Sequence, residues 1–273
     1  MSLKLTAVTA TYNRESFLPR CIESVAAQSY PHKEHVIIDG GSTDGTVSIM
    51  KAYAAKYPHI KWLSERDTGI SSALNKGLAM ATGDAIGVIG DDDFYAPEVF
   101  GIIASEFEKD SEVALVSGNC DIMSNDNLVK ASQKASYTNH ADLIQCWRYW
   151  GKQVALAAPS TFIRKRVIDE VGGFDEADRY AMDYHHWIKI TKKFPKVRTV
   201  DVVFAKFRSD EGTNSFTFGT ETWKELMAIS KMHWGSKRSW MYYTILLSYV
   251  QHYQWPLLRG VVKSRILGQQ VKG

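Results

Sequence analysis

Ile86-Gly87-Val88-Ile89-Gly90-Asp91-Asp92-Asp93-Phe94-Tyr95 decides the fold, because an apolar run bounded by glycines empties into three consecutive carboxylates. Residues 85–89 are too few and too β-branched for a helix, so they read as a buried strand of a parallel sheet. In open α/β sheets, ligands gather outside the carboxyl ends of such strands, which puts Asp91, Asp92 and Asp93 at a site. Adjacent anions repel one another unless a cation is bound, and hard oxygen ligands favour Mg2+ or Mn2+ over zinc. A divalent ion bridging a diphosphate suits this set. The competing reading is a solvated acidic turn before the helix that Pro97 begins.

Upstream, the chain repeats a strand, loop and helix rhythm. Residues 5–10 read as a first strand, and Phe17, Leu18, Cys21, Ile22, Val25 and Ala26 recur at helical spacing over residues 15–28. A strand at 35–38 runs into Asp39-Gly40-Gly41-Ser42-Thr43-Asp44-Gly45 and a helix to Tyr57. A strand at 61–64 then meets Asp67-Thr68-Gly69 and a helix over 70–81. The glycine spacing matches neither the dinucleotide fingerprint nor the P-loop, which counts against a dehydrogenase. A single carboxylate is commonly a turn or cap residue, but Asp39, Asp67 and Asp91 to Asp93 recur at successive strand ends, and the repetition points to a site.

These residues resemble the family 2 glycosyltransferases, which use the GT-A fold. The likeness is carried by Thr9-Ala10-Thr11-Tyr12-Asn13-Arg14, by residues 37–46, by Asp67-Thr68-Gly69-Ile70 with Asn75-Lys76-Gly77, and by Gly83-Asp84 before the aspartate run. The resemblance implies an α/β domain, GT-A and Rossmann-like, with a mixed, mostly parallel sheet flanked by helices. It implies inverting, metal-dependent transfer from a nucleoside-diphosphate sugar, UDP by family habit, to a hydroxyl of a saccharide or polyprenyl-linked acceptor. By the same resemblance, Thr9, Ala10 and Tyr12 of the first loop, with Asp39, hold the base and ribose. Asp67 faces the base, Lys76 joins the donor-binding set, and Asp91, Asp92 and Asp93 hold Mn2+ or Mg2+ on the diphosphate. The family pattern can be laid on either overlapping pair of those three, so the pair stays open.

Downstream, a helix to Phe107 and a strand at 113–118 precede a polar stretch, Asn119 to Asp126, read as loop. A helix over 141–150 with Cys146, Trp147 and Trp150 would either line an acceptor groove or pack in the core. Ala158-Pro159-Ser160-Thr161-Phe162 again resembles the family, with Ala158-Pro159 where relatives often carry His. Asp183 opens a helix that reaches Phe194, after the turn Gly172 to Glu176. Its position suits an ordinary N-terminal acid favoured by the helix dipole, whereas the resemblance makes it the general base. His185 stands where many relatives have a second acid, and is a secondary candidate as ligand or base. Residues 197–207 read as two short strand pieces at the sheet edge. The polar loop 208–215 follows, either with Arg208 as a cation for the donor diphosphate or as plain solvent loop.

With 273 residues, 45% of them hydrophobic, the chain can form one large α/β domain with an appendage. Cys21, Cys120 and Cys146 are too few for a disulfide framework or a zinc site, and no secretory signal is visible, so a cytoplasmic setting is expected. Residues 224–273 hold eight Lys/Arg and one acid, Glu225, a charge of +7 that leaves −4 on the rest. The expected division is therefore a catalytic domain over 1–220, with a nucleotide-sugar half to 118 and an acceptor half beyond it, and a basic helical extension over 221–273. Its helices are expected at 222–233, at 236–250 with Trp240, Tyr243, Leu247 and Val250 on one face, and after Pro256. No apolar run approaches the roughly 20 residues that span a bilayer. The extension's partner stays open between an anionic inner membrane face, the acidic body and a second subunit. Two other functions are weighed. A sugar-phosphate nucleotidyltransferase would want a glycine-rich, basic first loop, which Thr9 to Arg14 is not. A non-catalytic membrane or nucleic-acid module would be led by the tail, but no nucleic-acid motif is present.

Overall fold

The computed structural model describes residues 2–124, 128–145, 156–209, 219–235 and 240–250. The chain opens as β1 (Leu5–Thr11), α1 (Leu18–Ala26), β2 (Lys33–Asp39), α2 (Thr46–Lys56), β3 (Ile60–Ser64), α3 (Ile70–Met80) and β4 (Ala85–Val88). It continues as β5 (Phe94–Tyr95), α4 (Val99–Glu108), β6 (Leu115–Met123), β7 (Val129–Gln133), α5 (His140–Ile144), β8 (Thr161–Arg164), α6 (Lys165–Val171) and α7 (Met182–Lys193). The described residues end with β9 (Val197–Arg208), α8 (Gly219–Met232) and α9 (Trp240–Tyr249).

One sheet runs β3-β2-β1-β4-β8-β6-β9-β5, with β7 paired to β6. The first four strands are parallel, so Thr11, Asp39 and the residues after Val88 emerge at the same edge. Strand β8 enters antiparallel between β4 and β6, and β6 and β9 run parallel beyond it. Helices α1 and α4 cover one face, packing Cys21, Val25, Phe100, Ile103 and Phe107 against Leu5, Ala7, Ala85 and Phe162. Helices α3, α7 and α8 cover the other, where Leu74, Leu78, Trp187, Ile188, Met227 and Ile229 meet Val8, Val36, Ile38 and Ile86. Strands covered on both faces bury successive side chains, which is why Val36, Ile37 and Ile38 of β2 are apolar in a row rather than alternating.

Two expectations change. Residues 119–123 are strand, not loop: Asn119 donates to Asp201 Oδ1 at 2.8 Å and accepts the Ala135 N–H at 2.9 Å, so its polar side chain bridges neighbours in the sheet. Residues 197–208 form one strand inside the sheet, between β6 and β5. Register shifts opposite Gly118, Asn119 and Cys120 interrupt its pairing and give it the look of two pieces. The extension expected from residue 221 begins within α8, whose Met227 and Ile229, with Trp234 and Ile245 after it, are buried in the core of the body. The predicted acceptor-groove residues Cys146, Trp147 and Trp150, the loop 210–215 and the helix after Pro256 lie outside the described residues.

Candidate active site

The loops leaving β1 and β2 are built against each other. Asn13 takes a left-handed φ of 53°, accepts the Thr43 N–H on its side chain at 2.9 Å and donates its own N–H to Ser42 Oγ at 2.7 Å. Asp39, fully buried, accepts from the N–H groups of Gly41 at 3.1 Å and Ser42 at 3.0 Å, and from the hydroxyls of Ser42 and Ser64. Its carboxylate therefore fixes the glycine loop. Asp67 closes over that loop, since a Cβ on Gly40 would lie 2.7 Å from Asp67 Oδ2.

The acid run turns at Gly90, where the Asp93 N–H returns to the Gly90 carbonyl at 3.2 Å. A Cβ at Gly90 would lie 2.7 Å from Asp93 Oδ2 and 3.0 Å from Asp92 Oδ1, so the carboxylates crowd the place a side chain would take. Burial pushes the Asp91 carboxyl up to about 7, with Asp92 adding repulsion while Thr11 and Arg14 pull it back. Asp92 is raised by burial, and Asp93 is raised well above the ordinary range by burial and then by Asp92. Arg14 Nε stands 3.7 Å from Asp91 Oδ1, and the Arg208 N–H donates to Asp93 Oδ1 at 2.9 Å. These offset only part of the repulsion. Three hard, crowded oxygen donors with excess charge fit a divalent cation, which Asp91, Asp92 and Asp93 would hold.

A cavity of about 470 Å3 joins this turn to α7. Its walls include Ala10, Thr11, Tyr12 and Arg14 from the first loop, Asp67 and Ile70 from the start of α3, the acid run, and Tyr180, Met182, Asp183 and Trp187. Asp183 accepts the Tyr184 N–H on Oδ1 at 2.7 Å. A helix start favours the ionised form, but desolvation outweighs it and, with help from the charge of Glu225, pushes Asp183 up to about 6.

The structure thus brings Ala10, Tyr12, Asp67, Asp91, Asp92, Asp93 and Asp183 to one cavity. Four other predicted residues are not among those that line it, although the charge of Arg208 is felt at Asp92. Thr9 hydrogen-bonds His35 Nε2 at 3.0 Å within the sheet, and Asp39 anchors its loop. Lys76 pairs with Glu65 at 2.7 Å, and Arg208 approaches through its backbone while its guanidinium lies 4.9 Å from the centre of the Phe17 ring. His185 turns aside, bonding Asp178 Oδ2 through Nδ1 at 2.6 Å; with Asp175 the three place potential ligand atoms within 4.8 Å of one another. Sequence reasoning quoted Arg14 only as part of a motif, and read Trp187 only as a helix anchor. Tyr180 carried no signal, because its place depends on a fold-back that no local pattern records.

Residues 6–172 match the glycosyl transferase family 2 pattern. The chain belongs to glycosyl transferase family 2. Within that family it is 26% identical over 208 residues to a chondroitin synthase of Escherichia coli, spanning 74% of this chain and 29% of that protein. It is 25% identical over 241 residues to the uncharacterized glycosyltransferase YwdF of Bacillus subtilis, spanning 85% of this chain and 84% of the relative. The fold is GT-A. A mannosyltransferase of Pyrobaculum calidifontis solved with GDP-Man and Mn2+ superposes with a TM-score of 0.71 at 19% identity, covering 100% of this chain and 76% of that one. S. aureus TarS 1-349 in complex with UDP-GlcNAc gives 0.68 at 16% identity, covering 91% and 73%.

Proposed function

We propose that this protein moves a sugar from a nucleoside-diphosphate sugar, with UDP the first nucleotide to test, to a hydroxyl of a saccharide or lipid-linked acceptor, with inversion, in polysaccharide assembly. One observation carries the reading: a single cavity joins a crowded aspartate turn to a lone carboxylate raised to about 6. The first loop and Asp67 offer the nucleotide a polar cleft, and Arg14 and Arg208 add positive charge beside the diphosphate position. Mn2+ or Mg2+ held by Asp91, Asp92 and Asp93 would supply charge neutralisation for a leaving diphosphate. Asp183 takes the acceptor proton, since a group at about 6 is mostly ionised at neutral pH yet basic enough to accept it. Direct displacement at the anomeric carbon with one such base inverts the product.

Relatives support the donor class: one structural neighbour holds UDP-GlcNAc and another GDP-Man with Mn2+. The decisive experiment is a panel of UDP- and GDP-sugars with Mn2+, read first by thermal stabilisation and then by transfer to candidate acceptors. A ligand at about 100 times its dissociation constant adds roughly 2.7 kcal/mol. Absence of any nucleotide-dependent stabilisation, with and without metal, would overturn the proposal. No helix among the described residues is long and apolar enough to cross a membrane.

A further inference from the structure

Helix α8 reaches back to the start of α7 through one side chain. Glu225 Oε1 accepts the backbone N–H groups of Arg179, Tyr180 and Ala181, each at 3.0 Å. Three successive N–H groups converging on one oxygen form an anion nest, and α7 has no side-chain cap of its own. The helix that presents Glu225 is firmly seated. Ser230 Oγ donates to the Ile144 carbonyl at 2.6 Å, which also accepts the Tyr184 hydroxyl at 2.8 Å, and Trp234 Nε1 donates to Ser230 Oγ at 3.0 Å. Tyr180, whose N–H is the middle one of the nest, and Met182 and Asp183, which follow the nest, all line the cavity.

We propose that Glu225 is a positioning residue: by gathering the N–H groups of residues 179–181 it fixes the entry to α7, and so sets Asp183 and Tyr180 toward the cavity. The inference rests on the reading of Asp183 as the base. It makes α8 part of the catalytic unit, although α8 lies beyond the matched family region of residues 6–172. Glu225 also acts through charge. Around α7, Asp178 and Asp175 face His185, His233 meets the His185 ring edge-on, and Asp91 to Asp93 line another wall of the cavity. The carboxylate whose charge raises Asp183 is Glu225.

The test compares Glu225→Gln and Glu225→Ala by amide hydrogen exchange and by 13C-carboxyl NMR titration, with Asp183→Asn identifying the Asp183 signal. Gln keeps an accepting oxygen and loses the charge. It should retain amide protection at residues 179–181 while the Asp183 midpoint moves down, because a neighbouring negative charge is gone. Ala should lose protection at those amides about tenfold or more. Parental protection in Glu225→Ala, or an unmoved Asp183 midpoint in Glu225→Gln, would overturn the proposal. Should the Ala variant fail to fold, Glu225→Asp, which keeps the charge but draws the accepting oxygen back by one methylene, decides by the same loss of protection at residues 179–181. Neither readout needs turnover, so a failure here is distinct from failure of the base assignment, which shows as sugar transfer by Asp183→Asn.

Discussion

Asp91 and Asp183 are both raised by burial, but protons on them have different consequences. On Asp183, a proton removes the base, so transfer should fall as pH drops through about 6. Asp183→Asn should lower turnover by about 10² to 10⁴-fold while nucleotide binding, read by calorimetry, persists. Near-parental turnover would move the base elsewhere. On Asp91, a proton competes with the cation. Because the folded Asp91 is held near 7, above its ordinary value of 3.8, the folded protein keeps a proton that the unfolded chain releases as pH rises between those values. The sign follows: the metal-free protein loses stability across that window, and the cation restores it. Thermal unfolding in EDTA and in Mn2+ should therefore show a small metal gain near pH 5 and a larger one near pH 7.5. A gain independent of pH would remove the aspartate turn as the metal site.

The two edges of the sheet divide labour between elements. At the edge opposite the site, Glu34 of β2 is buried and takes Lys4 at 3.1 Å, Lys61 at 2.7 Å, Thr6 at 2.7 Å and the Thr82 N–H at 2.8 Å. Burial works against its charge, but Lys61, Thr82 and Thr6 together hold it down to about 2. This contribution is present above the ordinary carboxylate range and lost as pH falls through about 2. Glu34→Gln should cost roughly 1–3 kcal/mol in urea unfolding at neutral pH without changing nucleotide affinity. Such devices were partly legible. Helix α1 was readable because Leu18, Cys21, Ile22 and Val25, apolar at helical spacing, are all fully buried. The Asn119 to Met123 strand was not, because its polar Asn119 is satisfied by Ala135 and Asp201, 16 and 82 residues along the chain. The motif residues brought Asp91 and Asp183 to notice, yet Asp39 shows the limit: spacing marks a carboxylate at a strand end, while the fold decides whether it faces the cavity or its own loop. Asn75 is similar. Quoted beside Lys76, it proves to clamp the Phe174 backbone, accepting its N–H at 2.8 Å and donating to its carbonyl at 3.0 Å.

For the whole molecule, the charge imbalance between body and tail divides at α8, which the core absorbs, so the membrane question passes to α9. That helix carries no charged residue, and it is preceded by Lys237 and Arg238 and followed by Arg259, Lys263, Arg265 and Lys272 with no acid among them. Ile245 seats it on the core, while Trp240 is 83% exposed and Leu247 61%, with Tyr243 and Val250 on the same outward side. The sequence placed these four on one face, but periodicity alone does not say whether an apolar face turns inward. A neutral apolar strip flanked by cations suits an anionic bilayer surface, where rings sit at headgroup depth and each nearby Lys or Arg adds about 1 kcal/mol. Because the strip is outside the core, Trp240→Gln with Leu247→Gln should leave the unfolding midpoint nearly unchanged. The parent should float with phosphatidylglycerol vesicles at low ionic strength and release as salt rises, since screening shortens the attraction to about 8 Å near physiological strength. The double variant should float several-fold less at every salt concentration. Equal flotation of the two proteins would assign any lipid affinity to charge alone and remove α9 as the docking element.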